Sequence, residues 1–213
     1  MRFFSFSKGS KYYANEDRLY VLDMGIYGVA AILADGMGGL SLGSLAAEVI
    51  TRSIAEFLRN NYRGQKEQEM LLEALERSDN ELRKVSIEKR SKMGAAVAIV
   101  IIRERKLFFT WQGNVRVYVL HEGKTTLVTS DHLVNIGYEK TALTRCIKGA
   151  GLRDDIPFLS HELEMDDDVF ICTDGFYKMG EKYLGQIPVE EIAKMFDSPE
   201  DDASLIEVSM DHS

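Results

Sequence analysis

Carboxylates recur where short apolar runs of this chain begin or end. Asn15-Glu16-Asp17 precedes RLYVL, Asp35-Gly36 closes GVAAILA, Asp174-Gly175 closes VFICT, and Asp201-Asp202 precedes ASLIEV. A single Asp-Gly pair is what a turn or a cap ordinarily requires. Four such places point to chemistry. If the runs are neighbouring strands of one core, several negative oxygens converge at one end of it, and their desolvation is costly unless a cation holds them. Oxygen-only donors select a hard divalent ion, Mg2+ or Mn2+, and the chain offers no Cys or His cluster at zinc spacing. The segment Asp35-Gly36-Met37-Gly38-Gly39 is the most specific of these. Glycine after a buried strand lets the backbone approach a ligand closely, so Gly36 can present a bare carbonyl to an ion already held by Asp35. A dinucleotide loop is the competing use of such glycines. Ser41 stands where its third glycine belongs, and an aspartate at the head of the turn would repel the phosphate.

The elements that must position these groups are legible as periodicity. Arg18 to Met24 and Gly28 to Ala34 read as a strand hairpin. Apolar residues from Ser44 to Tyr62 recur at three- and four-residue steps and predict an amphipathic helix, followed by a second helix carrying Leu71, Leu72, Leu75, Leu82 and Val85. Ala95 to Ile102, Lys106 to Gly113, Arg116 to Leu120 and Thr125 to Val128 read as an antiparallel meander, with His121 to Lys124 as a hairpin loop. A short helix around Thr141 to Ile147, a buried run Val169 to Thr173, a helix Val189 to Phe196 and a closing strand Ala203 to Val208 complete the expectation. Strands, helices and strands again predict an α+β domain of sheets covered by helical layers.

The 213 residues fit one domain, 1–213, long enough to bury about 70% or more of the unfolded surface. With 45% apolar and 28% charged residues and three prolines, the composition excludes a fibrous or disordered chain. Twenty-six basic against 34 acidic side chains give a net charge of −8, which disfavours nucleic acid and anionic membrane surfaces as partners. Cys146 and Cys172 read as free thiols, matching a reducing cytoplasm. The amino-terminal MRFFSFSKGSKYY lacks the pattern of a signal peptide, and AAVAIVII is too short to span a bilayer, so a soluble, unprocessed cytoplasmic protein is expected.

The order of motifs resembles the metal-dependent protein phosphatase family, also called protein phosphatase 2C-like, over nearly the whole chain. NED at 15–17, DGMGG at 35–39, MGAA at 93–96, GNVRVY at 113–118, SDH at 130–132, LTR at 143–145, TDG at 173–175 and DDAS at 201–204 follow in the family's order. The resemblance implies two antiparallel β-sheets packed as a sandwich with helices on both outer faces. It also implies a pair of Mg2+ or Mn2+ ions at one edge and hydrolysis of phosphoserine or phosphothreonine by water activated between the ions. On that pattern Asp35 bridges the ions, the Gly36 carbonyl binds one, and Asp174 and Asp201 bind the other. Asp17 and Glu16 ligate or hold metal-bound water. Asp35 and Asp174 are the residues on which catalysis would then depend.

Departures from the pattern carry their own expectations. Gly113-Asn114-Val115-Arg116 stands where the family has GDSR, so Asn114 would be a neutral ligand of a weakened third metal site. The family's phosphate-binding arginine is absent before NED. Lys11 is the expected substitute, with Lys8 and Tyr12 as alternatives, and lacks the bidentate geometry of guanidinium. Ala95 and Ala96 replace hydroxyls, and Met37 stands where some members carry a histidine proposed as general acid. Few residues separate His132 from Leu143, so a reduced flap and an open groove are expected.

His132, Trp111, Phe108, Phe109, Arg116 and Arg145 read as structural residues, the run Glu164 to Asp168 as a turn, and Cys172 as a buried thiol rather than a nucleophile. The resemblance thus implies a phosphorylated protein as substrate, with a cognate serine/threonine kinase as counterpart and a monomer as the working form. The alternatives are a phosphatase-like binding or regulatory module weakened by Asn114 and the missing arginine, or a metal-dependent hydrolase of small phosphoesters.

Overall fold

The computed structural model describes residues 1–37, 42–138, 140–153 and 155–210. Along the chain β1 (Arg2–Lys8), β2 (Arg18–Asp23) and β3 (Val29–Gly36) lead into helices α1 (Gly43–Asn61) and α2 (Glu67–Lys89). Strands β4 (Ala95–Arg103), β5 (Lys106–Gln112), β6 (Arg116–His121) and β7 (Lys124–Leu127) follow, then the hairpin β8 (Leu133–Gly137) and β9 (Lys140–Leu143). The chain closes with β10 (Phe158–Glu162), β11 (Asp168–Cys172), α3 (Asp174–Gly180), α4 (Val189–Lys194) and β12 (Ala203–Ser209). The strands form two five-stranded antiparallel sheets, ordered β10-β5-β4-β3-β2 and β1-β12-β11-β6-β7, with β8 and β9 paired by themselves.

Side-chain alternation explains the layers. On β3, Val29, Ala31 and Leu33 turn inward to meet the second sheet, as do Ala98, Val100 and Ile102 of β4, and they pack with Val117, Val119, Val169, Ile171, Ile206 and Val208. The intervening Ala30, Ile32 and Ala34, with Val97, Ile99 and Ile101, face the opposite way into α1 and α2 through Ile50, Ile54, Leu71 and Leu75. Strands buried on both faces read as continuous apolar runs, which is why β3 and β4 carry no polar alternation. The outer face of the second sheet, with Tyr118, Phe170, Cys172 and Leu205, is covered by Phe176 of α3, Val189 and Ile192 of α4, and Phe196 just after it. This is the α-β-β-α sandwich that the motif pattern implied.

Several expectations are corrected. The meander is split: β4 and β5 belong to one sheet and β6 and β7 to the other, because the chain crosses between sheets at Gly113, whose φ is +111°. Thr141 to Ile147 is not a helix. Lys140–Leu143 pairs with Leu133–Gly137, and Ile147 then exchanges both backbone hydrogen bonds with Ala95 at 3.0 Å. The four-residue spacing of Leu143 and Ile147 is overridden by tertiary pairing, since both residues sit in strand or bridge contacts. Strands β1 and β10 and helix α3 were not anticipated from the sequence. Gly38, Gly39 and Ser41 of the glycine segment lie outside the described residues.

Candidate metal centre

Asp35 and Gly36 sit at the last two register positions of β3, opposite Ala96 and Ala95 of β4. Gly36 is required by close approach: a Cβ there would lie 2.6 Å from the carbonyl carbon and oxygen of Gly43 and 2.8 Å from the carbonyl oxygen of Glu16. The loop before β2 is thereby pressed against the start of α1. A Cβ on Gly43 would in turn meet the Glu16 carboxylate at 2.7 Å, and Glu16 takes a hydrogen bond from the Ser44 backbone. Arg18 ties the loop down by donating to the carbonyls of Asn15 at 3.0 Å and Asp17 at 2.7 Å, and to the Ser44 hydroxyl at 2.6 Å.

The second sheet supplies the other acids. Asp174 opens α3 directly after β11, and Asp201 and Asp202 lie just before β12, its antiparallel neighbour. Gly175 is what lets the two meet, since a Cβ there would lie 2.1 Å from the Asp202 carbonyl oxygen. Asp202 accepts hydrogen bonds from the Ser10 and Glu16 backbone N–H groups, both at 2.7 Å, and so joins the two sheets across the cleft. Asp17 makes a second join: it is 2% exposed, and its Oδ2 accepts from the Thr173 hydroxyl at 2.9 Å.

Glu16, Asp35, Gly36, Asn114, Asp174 and Asp201 line one cleft of about 540 Å³, together with Asp202, Ser10, Tyr13, Met37 and Ala96. It is larger than the groove of about 340 Å³ between α1 and α2, which lies away from the converging acids and is lined by Arg52, Glu56 and Arg77 among others. Leu133, Thr141 and Leu143 of the β8–β9 hairpin form another wall of the acidic cleft. Asn114 is 9% exposed and shares a hydrogen bond with the Tyr177 hydroxyl. Asp17 is not on the cleft lining; it is buried beside it. Nor does Lys11 line the cleft: its ammonium lies 3.6 Å from Glu200 and over the Tyr12 ring.

The residues set aside as structural are engaged elsewhere. His132 stacks on Trp111 and accepts from the Gly113 N–H through Nδ1 at 3.1 Å. Arg116 forms a bidentate pair with Asp131, at 3.1 and 2.9 Å, and Arg145 pairs with Asp155. Cys172 is fully buried, and that burial holds its thiol well above the ordinary range.

The electrostatics of the cleft are those of crowded anions. Burial, followed by the charges of Asp17, Asp174 and Asp201, holds the Asp35 carboxyl well above the usual carboxylate range, and Asp35 hydrogen-bonds to Asp174. Burial pushes Asp17 up to about 8, against the hydrogen bonds from Ser204 and Thr173 that favour its ionised form. Burial also raises Glu16 and Asp201. Lys178, one turn beyond Asp174 on α3, is the counter-charge: its Nζ lies 2.8 Å from Asp174 Oδ2 and 3.7 Å from Asp201 Oδ2. Burial lowers the Lys178 pKa, and the bond to Asp174 more than restores it. Sequence reading missed Lys178 because α3 itself was missed; on a helix the Asp-to-Lys spacing of four is the signal of a same-face ion pair.

These residues fit a hard divalent cation. Asp17 Oδ1 is a buried carboxylate oxygen with no hydrogen-bond partner, and the Glu16, Asp35, Asp174, Asp201 and Asp202 carboxylates of the cleft offer oxygen donors with no His or Cys among its described lining residues. Among the described residues no three Asp, Glu, His or Cys side chains already enclose a single point as an ion cage. A fit therefore relies on the Gly36 carbonyl and retained water to complete the coordination, as Mg2+ commonly does. Among the described residues no helix is long and apolar enough to cross a membrane.

Comparison with known proteins agrees with this geometry. The family model described as protein phosphatase 2C matches residues 10–209. A Streptococcus pyogenes serotype M6 protein whose assigned name is of the protein phosphatase 2C type is 29% identical over 131 residues, 60% of this chain and 53% of that protein. The chain spans about half the length of the curated relatives it matches. The serine/threonine phosphatase Stp1 of Staphylococcus aureus superposes with a TM-score of 0.84 at 18% identity, over 99% of this chain and 95% of that one. The catalytic domain of the serine/threonine phosphatase PstP, solved in complex with two manganese ions, superposes at 0.79 and 22% identity, over 98% and 97%. These likenesses establish the shared fold.

Proposed function

Since this chain belongs to the protein phosphatase 2C family, we propose that its acidic cleft is the active site of a metal-dependent serine/threonine phosphoprotein phosphatase spanning one domain. The observation that carries the reading is the meeting of Asp35, Gly36, Asp174 and Asp201 on one cleft, contributed by strand and loop ends of both sheets. In this reading Asp35, the Gly36 carbonyl, Asp174 and Asp201 would hold a pair of Mg2+ or Mn2+ ions. When bound, the ions supply Lewis-acid chemistry, acidifying water and offsetting charge on the phosphoryl oxygens.

The chain's own residues hold and orient. Thr173 and Ser204 fix Asp17 behind the cleft, Asp202 fixes the backbone of Glu16 and Ser10, and Glu16 offers a carboxylate to water on the cleft wall. Asn114 brings a neutral amide where a third ion would sit, so that ion is held weakly. Lys11, in the segment that rims the cleft, is assigned to substrate phosphate once it leaves Glu200. The substrate is a phosphorylated protein whose phosphate was placed by a serine/threonine kinase, and the chain acts as a monomer. Two unbridged cysteines suit a reducing, cytoplasmic setting.

Hydrolysis of p-nitrophenyl phosphate and of a phosphothreonine peptide, with Mn2+ or with chelator, tests the reading. Mn2+-dependent release of phosphate is expected from both. Asp35→Asn should lower kcat/KM by about 10²-fold or more, the scale of losing one electrostatic contact to the transition state. Turnover that is indifferent to metal, or equal in the variant, contradicts the reading.

A further inference from the structure

The cleft carboxylates are unequally compensated. Among the described residues no ion pair reaches Glu16, Asp35 or Asp202, whereas Lys178 pairs with both Asp174 and Asp201. Its position is built in. Gly175 seats the start of α3 against the Asp202 carbonyl, and Phe176 and Tyr177 are buried, so the rotation of α3 about its axis is fixed and Lys178 faces the acids. The Lys178 side chain is 58% exposed on a flexible stem, free to withdraw toward water.

We infer that Lys178 is a resident cation that competes with a divalent ion for the Asp174–Asp201 half of the centre, so that the two ions bind with unequal affinity. This rests on the metal-centre reading above. The ion at Asp35 and Gly36 displaces no ammonium in ion-pair contact, since Lys178 reaches Asp35 only through its longer-range charge, and it binds first. The ion at Asp174 and Asp201 binds only as Lys178 leaves. Activity would then follow the weaker step, making this half the point at which the divalent ion concentration sets turnover.

Calorimetric titration of the chelator-stripped full chain with MnCl2 tests this without reference to catalysis. The wild type should show a tighter and a weaker step. Removing a unit charge close to a divalent ion strengthens binding by about tenfold or more, so Lys178→Met should tighten the weaker step by that factor and the tighter one by much less. Lys178→Arg, which keeps the charge, should resemble the wild type. Lys182→Met, which removes an exposed charge one turn further on, should change neither step by more than about twofold.

Isotherms for Lys178→Met within twofold of the wild type overturn the inference. So does an equal gain in Lys182→Met, or a gain in Lys178→Arg matching that in Lys178→Met. Where Lys178→Met does not fold, Lys178→Gln is read in its place by the same criteria. Absence of Mn2+ binding by every chain overturns the metal centre itself, and this inference with it.

Discussion

Asp17 and Asp35 carry the electrostatic cost of the site. Burial comes first among the causes that raise both carboxyls, and Asp17 reaches about 8. A folded chain that retains protons the unfolded chain has released loses stability as pH rises. The contribution of Asp17 is therefore complete below the unfolded aspartate value of about 3.9 and is lost as pH climbs through about 8. The chelator-treated protein should melt at a lower temperature at pH 8 than at pH 5.5, by several degrees on a scale of about 2–4 °C per kcal/mol for a chain of this size. Saturating Mn2+ should flatten that slope, because binding to the folded chain stabilises it by mass action. Differential scanning calorimetry across the two pH values with and without metal checks both statements. A metal-free melting temperature that rises with pH would count against the assigned burial of these acids.

The acids meet because elements end where they do, and glycines let the ends touch. At Gly175 any Cβ collides with the backbone oxygen of Asp202, which cannot swing aside as a side chain would. Gly175→Ala should therefore cost about 1–3 kcal/mol, the range for overpacking a tight contact, and weaken Mn2+ binding by displacing Asp174 from Asp201. Thermal melts and Mn2+ titration read the two effects; a variant that melts and binds like the wild type contradicts the contact.

The sequence carried most of this scale. Glu16, Asp35, Gly36, Asp174 and Asp201 were legible because strand ends are marked by an abrupt change from apolar to acidic residues, and Asn114 only through the family resemblance. The sheet crossing at Gly113 was not, since hairpin patterns fix which strands are neighbours in sequence and leave the sheet unspecified. Helix α3 follows directly on the buried run of β11 and carries a glycine at each end, Gly175 and Gly180, which masks it as a turn, and Lys178 with it. Lys11 matched on type alone, and its partner Glu200 comes from a distant segment that no local pattern announces.

At the scale of the whole molecule, the sandwich must hold both sheets in register for the four acidic segments to share a cleft. Ile206 at the centre of β12 is fully buried between the sheets with Ile171 and Val208. Truncating it to alanine should cost about 2–5 kcal/mol, and a melt should fall accordingly. Below the melt the far ends of β3 and β11 keep their backbone pairing, so Mn2+ binding should persist; equal loss of both would place Ile206 closer to the site than the packing does. The account as a whole depends on a divalent ion held by Asp35. Anomalous diffraction from a crystal soaked in MnCl2 measures this directly. It should show manganese density within about 2.5 Å of an Asp35 carboxylate oxygen and of the Gly36 carbonyl, with a second peak by Asp174 and Asp201 at high Mn2+ concentration. Ordered Asp35 and Gly36 with no manganese peak beside them would contradict it.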